Sequence, residues 1–426
     1  MLRSAFFTVL LSAYAHAHAH HGAASAVACD SSSTVPSEPW SAKYAGSPDL
    51  SFSGITTFAR LNHSRCLDEP GGALDIAFLG FPFDTAVSYR TGARFGPNAI
   101  RQASRRMATN RGYSISANFN PFLAGADILD CGDVPVSPYD NALAFDQMER
   151  AYTTLLQRPV KTAWMEEHGR TKTVSLDGRE HPIILAAGGD HSIVLPALRS
   201  LGKVYGNVSV IHLDAHLDSW KGSAYRGAWT KQSEITHGSF FHKAGEEGLI
   251  RDNSVHLGIR TRLSDFDDLI EDRQVGFRAF TTNDIDLIGP DGIVEAVKHI
   301  VGDGPVYLSL DIDVLDPSMA PGTGTPETGG WTTREVKRIL RGFSSLNVVG
   351  ADVVEVSPAY DTNADLTALA AADVFQEFLA ILLKEKTLPP VANGQEKKWK
   401  PAVSQGVLYD EREKKAEQKE VKHEEL

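Results

Sequence analysis

Three cysteines among 426 residues leave no basis for a small scaffold held by a disulfide framework. Positive charge is also in deficit: 42 Lys and Arg face 54 Asp and Glu, a formal net charge of −12. That balance excludes nonspecific nucleic-acid binding, which needs cations to displace phosphate counterions. It also repels anionic membrane surfaces and suits a cationic substrate. No tandem repeat of solenoid or propeller period occurs. Full disorder is excluded by a hydrophobic share of 42% and a charged share of 23%, and the length supports a sizeable core.

The ends differ from the middle. Arg3 precedes an apolar run from Ala5 to Ala15, followed by small-x-small sites such as Ala17-His18-Ala19. This is the pattern of a secretory signal peptide over residues 1–19, too short for the roughly 20 residues that span a bilayer. His16, His18, His20 and His21 belong to that processed end rather than to a metal site. Residues 20–72 form an N-terminal extension with Cys29 in a Ser-rich stretch. In an oxidising compartment Cys66 and Cys131 are either a disulfide or two separate buried thiols. Sequons stand at Asn62 and Asn207. After Leu388 come Pro389-Pro390 and a charged tail, 389–426, that reads as disordered. It closes on His423-Glu424-Glu425-Leu426, similar to an endoplasmic-reticulum retrieval signal. The expected location is therefore the secretory pathway, extracellular or in that lumen, with no membrane partner after signal cleavage.

Between 73 and 388 short apolar runs alternate with longer helix-compatible stretches. Asp75–Leu79, Ile183–Ala187, Val208–Leu213, Ser254–Ile259, Val306–Leu310 and Val348–Val354 have the near-continuous apolar character of parallel strands covered on both faces. One α/β domain with a mostly parallel sheet follows. Three of these runs end in acids and imidazoles: Gly188-Gly189-Asp190-His191, Asp214-Ala215-His216-Leu217-Asp218 and Asp311-Ile312-Asp313. Open parallel sheets bind ligands at that edge. In extended backbone, residues two apart point the same way, so Asp214, His216 and Asp218 share one side, as do Asp311 and Asp313. With His191 this makes four carboxylates and two imidazoles, too much negative charge to sit together without cations. Two divalent ions neutralise it, and an oxygen-rich, thiolate-free set favours manganese.

These motifs resemble the ureohydrolases, the arginases, agmatinases and relatives that hydrolyse guanidino groups to urea. The likeness rests on Gly-Gly-Asp-His at 188–191, Asp-Ala-His-Leu-Asp at 214–218 and Ser-Leu-Asp-Ile-Asp-Val-Leu-Asp-Pro at 309–317. Further matches are Gly80-Phe81-Pro82-Phe83-Asp84, Arg94-Phe95-Gly96-Pro97, Gly322 through Glu327, and Glu355-Val356-Ser357-Pro358. The resemblance implies a three-layer α/β/α domain with about eight parallel strands, assembled as a trimer or hexamer. It implies one manganese ion on His191, Asp214, Asp218 and Asp311, and a second on His216, Asp214, Asp311 and Asp313. A bridging hydroxide then attacks the guanidinium carbon. Asp218 delivers a proton to the leaving amine, Glu355 orients the guanidinium and His237, rather than His242, shuttles protons. Asp190 is either a support for a ligand or a turn residue.

Arginases carry Asn two residues beyond the last Asp of the Asp-x-His-x-Asp motif, where this chain has Trp220. The following loop holds Tyr225 and Trp229. Loss of an amino-acid clamp and gain of aromatics point to agmatine, cleaved to urea and putrescine. A guanidinobutyrase or other guanidino-acid hydrolase is the alternative, with Arg90 or Arg226 as carboxylate receiver. A non-catalytic manganese-binding protein would have no need of Glu355 and His237.

Overall fold

The computed structural model describes residues 39–44, 49–68, 71–161 and 174–383. The expected signal peptide, Cys29, the charged tail and its final four residues lie outside them. The chain divides into two units, 1–50 and 51–426. Of the first, Trp40–Tyr44 forms one helical turn.

The second unit is built on eight parallel strands: β1 Ile76–Phe81, β2 Ile128–Asp133, β3 Ile183–Gly188, β4 Ser209–Leu213, β5 Ser254–Ile259, β6 Phe277–Thr281, β7 Pro305–Asp311 and β8 Asn347–Val354. Their order is β2-β1-β3-β8-β7-β4-β5-β6. Alternate strand residues enter two separate cores, as a two-residue period requires. Phe78, Leu185, Leu213, Leu257, Leu308 and Val353 pack in one core. Leu79, Ile184, Ala186, Val210, Tyr307 and Val354 pack in the other. Helices Val194–Tyr205 and Asn141–Leu156 cover the second face, and Asp284–Val301, Thr333–Gly342 and Leu366–Leu383 cover the first. This is the expected three-layer α/β/α arrangement.

Six strands were legible in the sequence, and the sheet has eight among the described residues. The two additional ones, β2 and β6, are the sheet's edges. An edge strand has one neighbour and a wetter surface, so its sequence is mixed: Ile-Leu-Asp-Cys-Gly-Asp in β2, Phe-Arg-Ala-Phe-Thr in β6. The β2 edge is partly covered by the stretch expected as an extension. Ser64 N–H donates to Asp130 O and Asp130 N–H to Asn62 O, both at 3.0 Å. Phe58, fully buried, stacks on Phe78 with centroids 4.3 Å apart and meets the edge of Phe375 at 5.6 Å. Cys66 and Cys131 form a disulfide that ties the same stretch to β2. Asn62 and Asn207 are exposed.

Candidate metal centre and active site

The four central strands β3, β8, β7 and β4 each end in a chemically active residue. After β3 the chain passes so close to the loop following β1 that Gly189 has no room for a side chain; a Cβ there would lie 2.0 Å from Phe83 O. Asp190 is buried and does two things at once. Its Oδ1 accepts from Ser192 N at 3.0 Å, capping the turn into Val194–Tyr205, and its Oδ2 accepts from Ala86 N at 2.9 Å. Of the two expected roles, these contacts bear out that of a turn residue. Burial, then repulsion from Glu355, pushes its carboxyl up to about 7.

His191 Nδ1 faces three carboxylates: Asp218 Oδ2 at 3.0 Å, Asp214 Oδ2 at 3.1 Å and Asp311 Oδ2 at 3.4 Å. His216 Nδ1 stands 3.0 Å from Asp313 Oδ2 and 3.2 Å from Asp214 Oδ1. Asp214 thus presents one oxygen to each imidazole, the arrangement a bridging ligand needs. Asp311 is brought to the His191 side, while its Oδ1 accepts from Asp313 N at 2.8 Å.

The expectation of continued extension beyond the strands is not what achieves this. Asp218 takes a left-handed conformation, φ 54°, and Asp313 lies in the short 3-10 turn Ile312–Val314. Glu355 is left-handed too, φ 60°. Non-glycine residues held there cost about 1–3 kcal/mol each, and such strain clusters at functional sites.

A polar row crosses the sheet directly beneath the cluster. Asp352 on β8, Ser309 on β7, His212 on β4 and His256 on β5 are register partners in turn. All four are fully buried. Ser309 Oγ donates to Asp352 Oδ1 at 3.0 Å and contacts His191 Nε2 at 2.8 Å. With its hydroxyl hydrogen committed, Ser309 accepts from His191 Nε2–H, which leaves the Nδ1 lone pair directed at the three carboxylates. Orientation of a metal-ligating imidazole through its other nitrogen follows this pattern.

The cluster fits divalent cations on its own terms. His191 Nδ1, Asp214 Oδ2 and Asp313 Oδ2 are buried without a hydrogen-bond partner. Separations near 3 Å without hydrogen-bond geometry match neighbouring ligands on an ion with bonds of about 2.1 Å. Burial, with like-charge neighbours, raises Asp311 well above the carboxylate range, raises Asp218 and lifts Asp313 to about 6. Asp214 is lowered despite its burial, because the surrounding imidazoles outweigh it.

Glu355 and His237 meet beside this cluster. Glu355 Oε1 accepts from His191 N at 2.8 Å and contacts His237 Nδ1 at 3.0 Å. Ser88 N–H donates to His237 Nε2 at 2.9 Å, so the neutral ring carries its hydrogen on Nδ1, toward Glu355. Burial lowers the His237 pKa and Glu355 raises it to about 9, while the Ser88 N–H, which needs the Nε2 lone pair, opposes that rise and favours the neutral ring. His242 instead points along its own helix, 3.6 Å from Glu246.

Gly238, next to His237, lies close under Tyr225: a Cβ there would sit 1.8 Å from Tyr225 Oη and 3.7 Å from the Trp220 ring. Trp229 is 89% exposed. Arg226 is exposed, and Arg90 lies with its guanidinium over the Tyr89 and Tyr360 rings at 5.0 and 5.3 Å.

The sequence matches the arginase family over residues 74–380. The chain belongs to the arginase family. It is 50% identical over 337 residues to "Putative agmatinase 1" of Schizosaccharomyces pombe, covering 79% of this chain and 84% of that protein. It is 36% identical over 332 residues to a guanidinobutyrase of Pseudomonas aeruginosa, covering 78% and 93%. A crystal structure described as a hypothetical agmatinase from Burkholderia thailandensis superposes with TM-score 0.66 at 33% identity, covering 80% and 93%. This arginase-family member is thus an agmatinase-like ureohydrolase with a His/Asp cluster suited to metal.

Sequence reading passed over His212, His256, Ser309 and Asp352 as supports of the site. The available signal was polarity inside otherwise apolar runs: a buried strand does not carry an imidazole without a partner.

Proposed function

We propose that this arginase-family chain hydrolyses agmatine to urea and putrescine with two manganese ions. The observation that carries the metal reading is Asp214, whose two oxygens face His191 and His216. His191, Asp214, Asp218 and Asp311 would hold one ion, and His216, Asp313 and the shared carboxylates the other. When bound, such a pair supplies a water nucleophile that deprotonates near neutral pH. The protein's part is positioning and proton transfer. Glu355 offers a carboxylate to the planar donors of the guanidinium. His237, held between Glu355 and Ser88, moves protons between the site and solvent. Asp218 would take the proton that the nucleophilic water gives up and pass it to the departing amine.

Agmatine is favoured over arginine because Trp220 stands where arginases keep an amino-acid-binding Asn. One observation favours a second reading, a guanidino acid such as 4-guanidinobutyrate. Arg90 is braced by two aromatic rings, on the loop that brings Ser88 to His237. A guanidinium there would receive a substrate carboxylate and repel an ammonium. Parallel assays of urea release from agmatine, 4-guanidinobutyrate and arginine separate the readings. Secretion and homo-oligomeric assembly belong to the same proposal; the Cys66–Cys131 disulfide supports an oxidising compartment.

A further inference from the structure

Behind the cluster runs a buried polar chain that the proposed chemistry leaves unused. His212 Nδ1 lies 2.7 Å from His256 Nδ1, and His256 Nε2 lies 2.9 Å from Asp272 Oδ1. Ser219 Oγ donates to that same oxygen at 2.6 Å. Ser219 follows Asp218 directly, so the chain leaves the cluster at Asp214 and rejoins it at Asp218. Its rings are held by packing: His256 stacks on Phe277 with centroids 3.9 Å apart, and His212 meets the edge of Phe241 at 4.8 Å.

Each hydrogen-bonded gap, His212–His256 and His256–Asp272, takes one proton. Asp272, a carboxylate that already accepts from Ser219 Oγ, has no hydrogen to donate. It takes the His256 Nε2–H. His256 Nδ1 is then the acceptor for His212 Nδ1–H, which leaves His212 Nε2 bare. That atom stands 2.9 Å from Asp214 Oδ2, and both are buried without a hydrogen-bond partner. Two lone pairs at that distance repel each other, and a cation between or beside them reverses the sign.

We propose that Asp272, acting through His256, is a positioning residue for the metal centre: it locks His212 in the tautomer that denies Asp214 a hydrogen-bond donor, so that a divalent cation is what satisfies this oxygen. The inference rests on the metal reading above and adds a support that lies a full strand away from the ligands.

The test is the double variant His256→Phe/Asp272→Asn. It keeps a ring on Phe277, leaves Ser219 an acceptor and frees His212 to donate from Nε2 to Asp214. Manganese chloride is titrated calorimetrically into chelator-stripped protein, and the stripped proteins are melted in parallel. The expected result is a manganese affinity about ten- to hundredfold weaker, with the stripped variant melting no lower than the stripped parent. A purely structural role predicts the reverse, a lowered melting temperature with affinity intact, and that result overturns the proposal. Asp272→Ala, which removes the acceptor and keeps both rings, is the second variant and is expected to weaken manganese binding in the same way. A parent chain that binds no manganese overturns the metal reading itself. A parent that binds it, with variants that bind equally well, overturns the relay alone.

Discussion

Asp214 turns one oxygen to each of two imidazoles, and most of the chemistry here depends on single atoms of that kind. Asp313 and His237 separate two roles. Asp313→Ala removes a carboxylate from one ion and is expected to lower manganese content by elemental analysis. His237→Asn is expected to keep both ions yet turn over about 10²–10⁴-fold more slowly, with partial rescue by free imidazole. Metal loss in His237→Asn equal to that in Asp313→Ala would make His237 a ligand. Glu355→Gln preserves an oxygen for the His191 and His237 contacts but removes the charge. A large fall in kcat/KM with unchanged metal content is expected, and near-normal activity would reduce Glu355 to a structural role. Asp313 also sets a pH dependence. Burial and Asp214 hold its carboxyl at about 6 in the metal-free protein, so a cation must displace a proton below that pH. Manganese affinity should fall as pH drops, by about tenfold per unit for each proton displaced from the cluster; calorimetry showing a flat profile would contradict this.

At the scale of elements, the stretch preceding β1 is part of the folded unit. Phe58 fills the gap between Phe78 and Phe375, so Phe58→Ala should cost about 3–5 kcal/mol in urea unfolding. A loss below 1 kcal/mol, the level of a surface change, would show that this packing is dispensable. The disulfide closes a separation of 65 residues, for which chain entropy gives about 4 kcal/mol. What the sequence made legible follows the same division. Central strands are apolar throughout and end in acids, so β3, β4, β7 and β8 and the six residues of the His/Asp cluster could be read directly. The edges β2 and β6 mix polar with apolar residues because only part of each is buried, and no period marks them. The structure brings the six side chains together, not through the extended backbone expected but through a left-handed residue at Asp218 and a 3-10 turn at Asp313. The pairing of His256 with Asp272, unlike the polarity of His256 itself, was invisible for another reason. Their partnership spans strand pairing and a helix, and no local spacing reports it.

Over the whole molecule, two apolar cores sandwich a sheet whose polar features gather at one edge. The row of Asp352, Ser309, His212 and His256 lies in register under the cluster, so the scaffold that carries the ligands also orders their protons. Net charge of −12 suits a cationic guanidino substrate at long range, while Arg90 argues locally for an anionic tail. These opposing fields make substrate choice a property of the site mouth, separate from the metal core that every arginase-family reading shares. Arg90→Met should therefore lower kcat/KM for 4-guanidinobutyrate and raise it for agmatine; unchanged kcat/KM for both would show that Arg90 meets neither tail. The central claim, a metal-dependent ureohydrolase acting on agmatine, is tested most directly by urea release from agmatine before chelation, after chelation and after manganese is restored. The account predicts urea, then none, then urea again. Manganese-loaded protein that releases no urea from agmatine would contradict it.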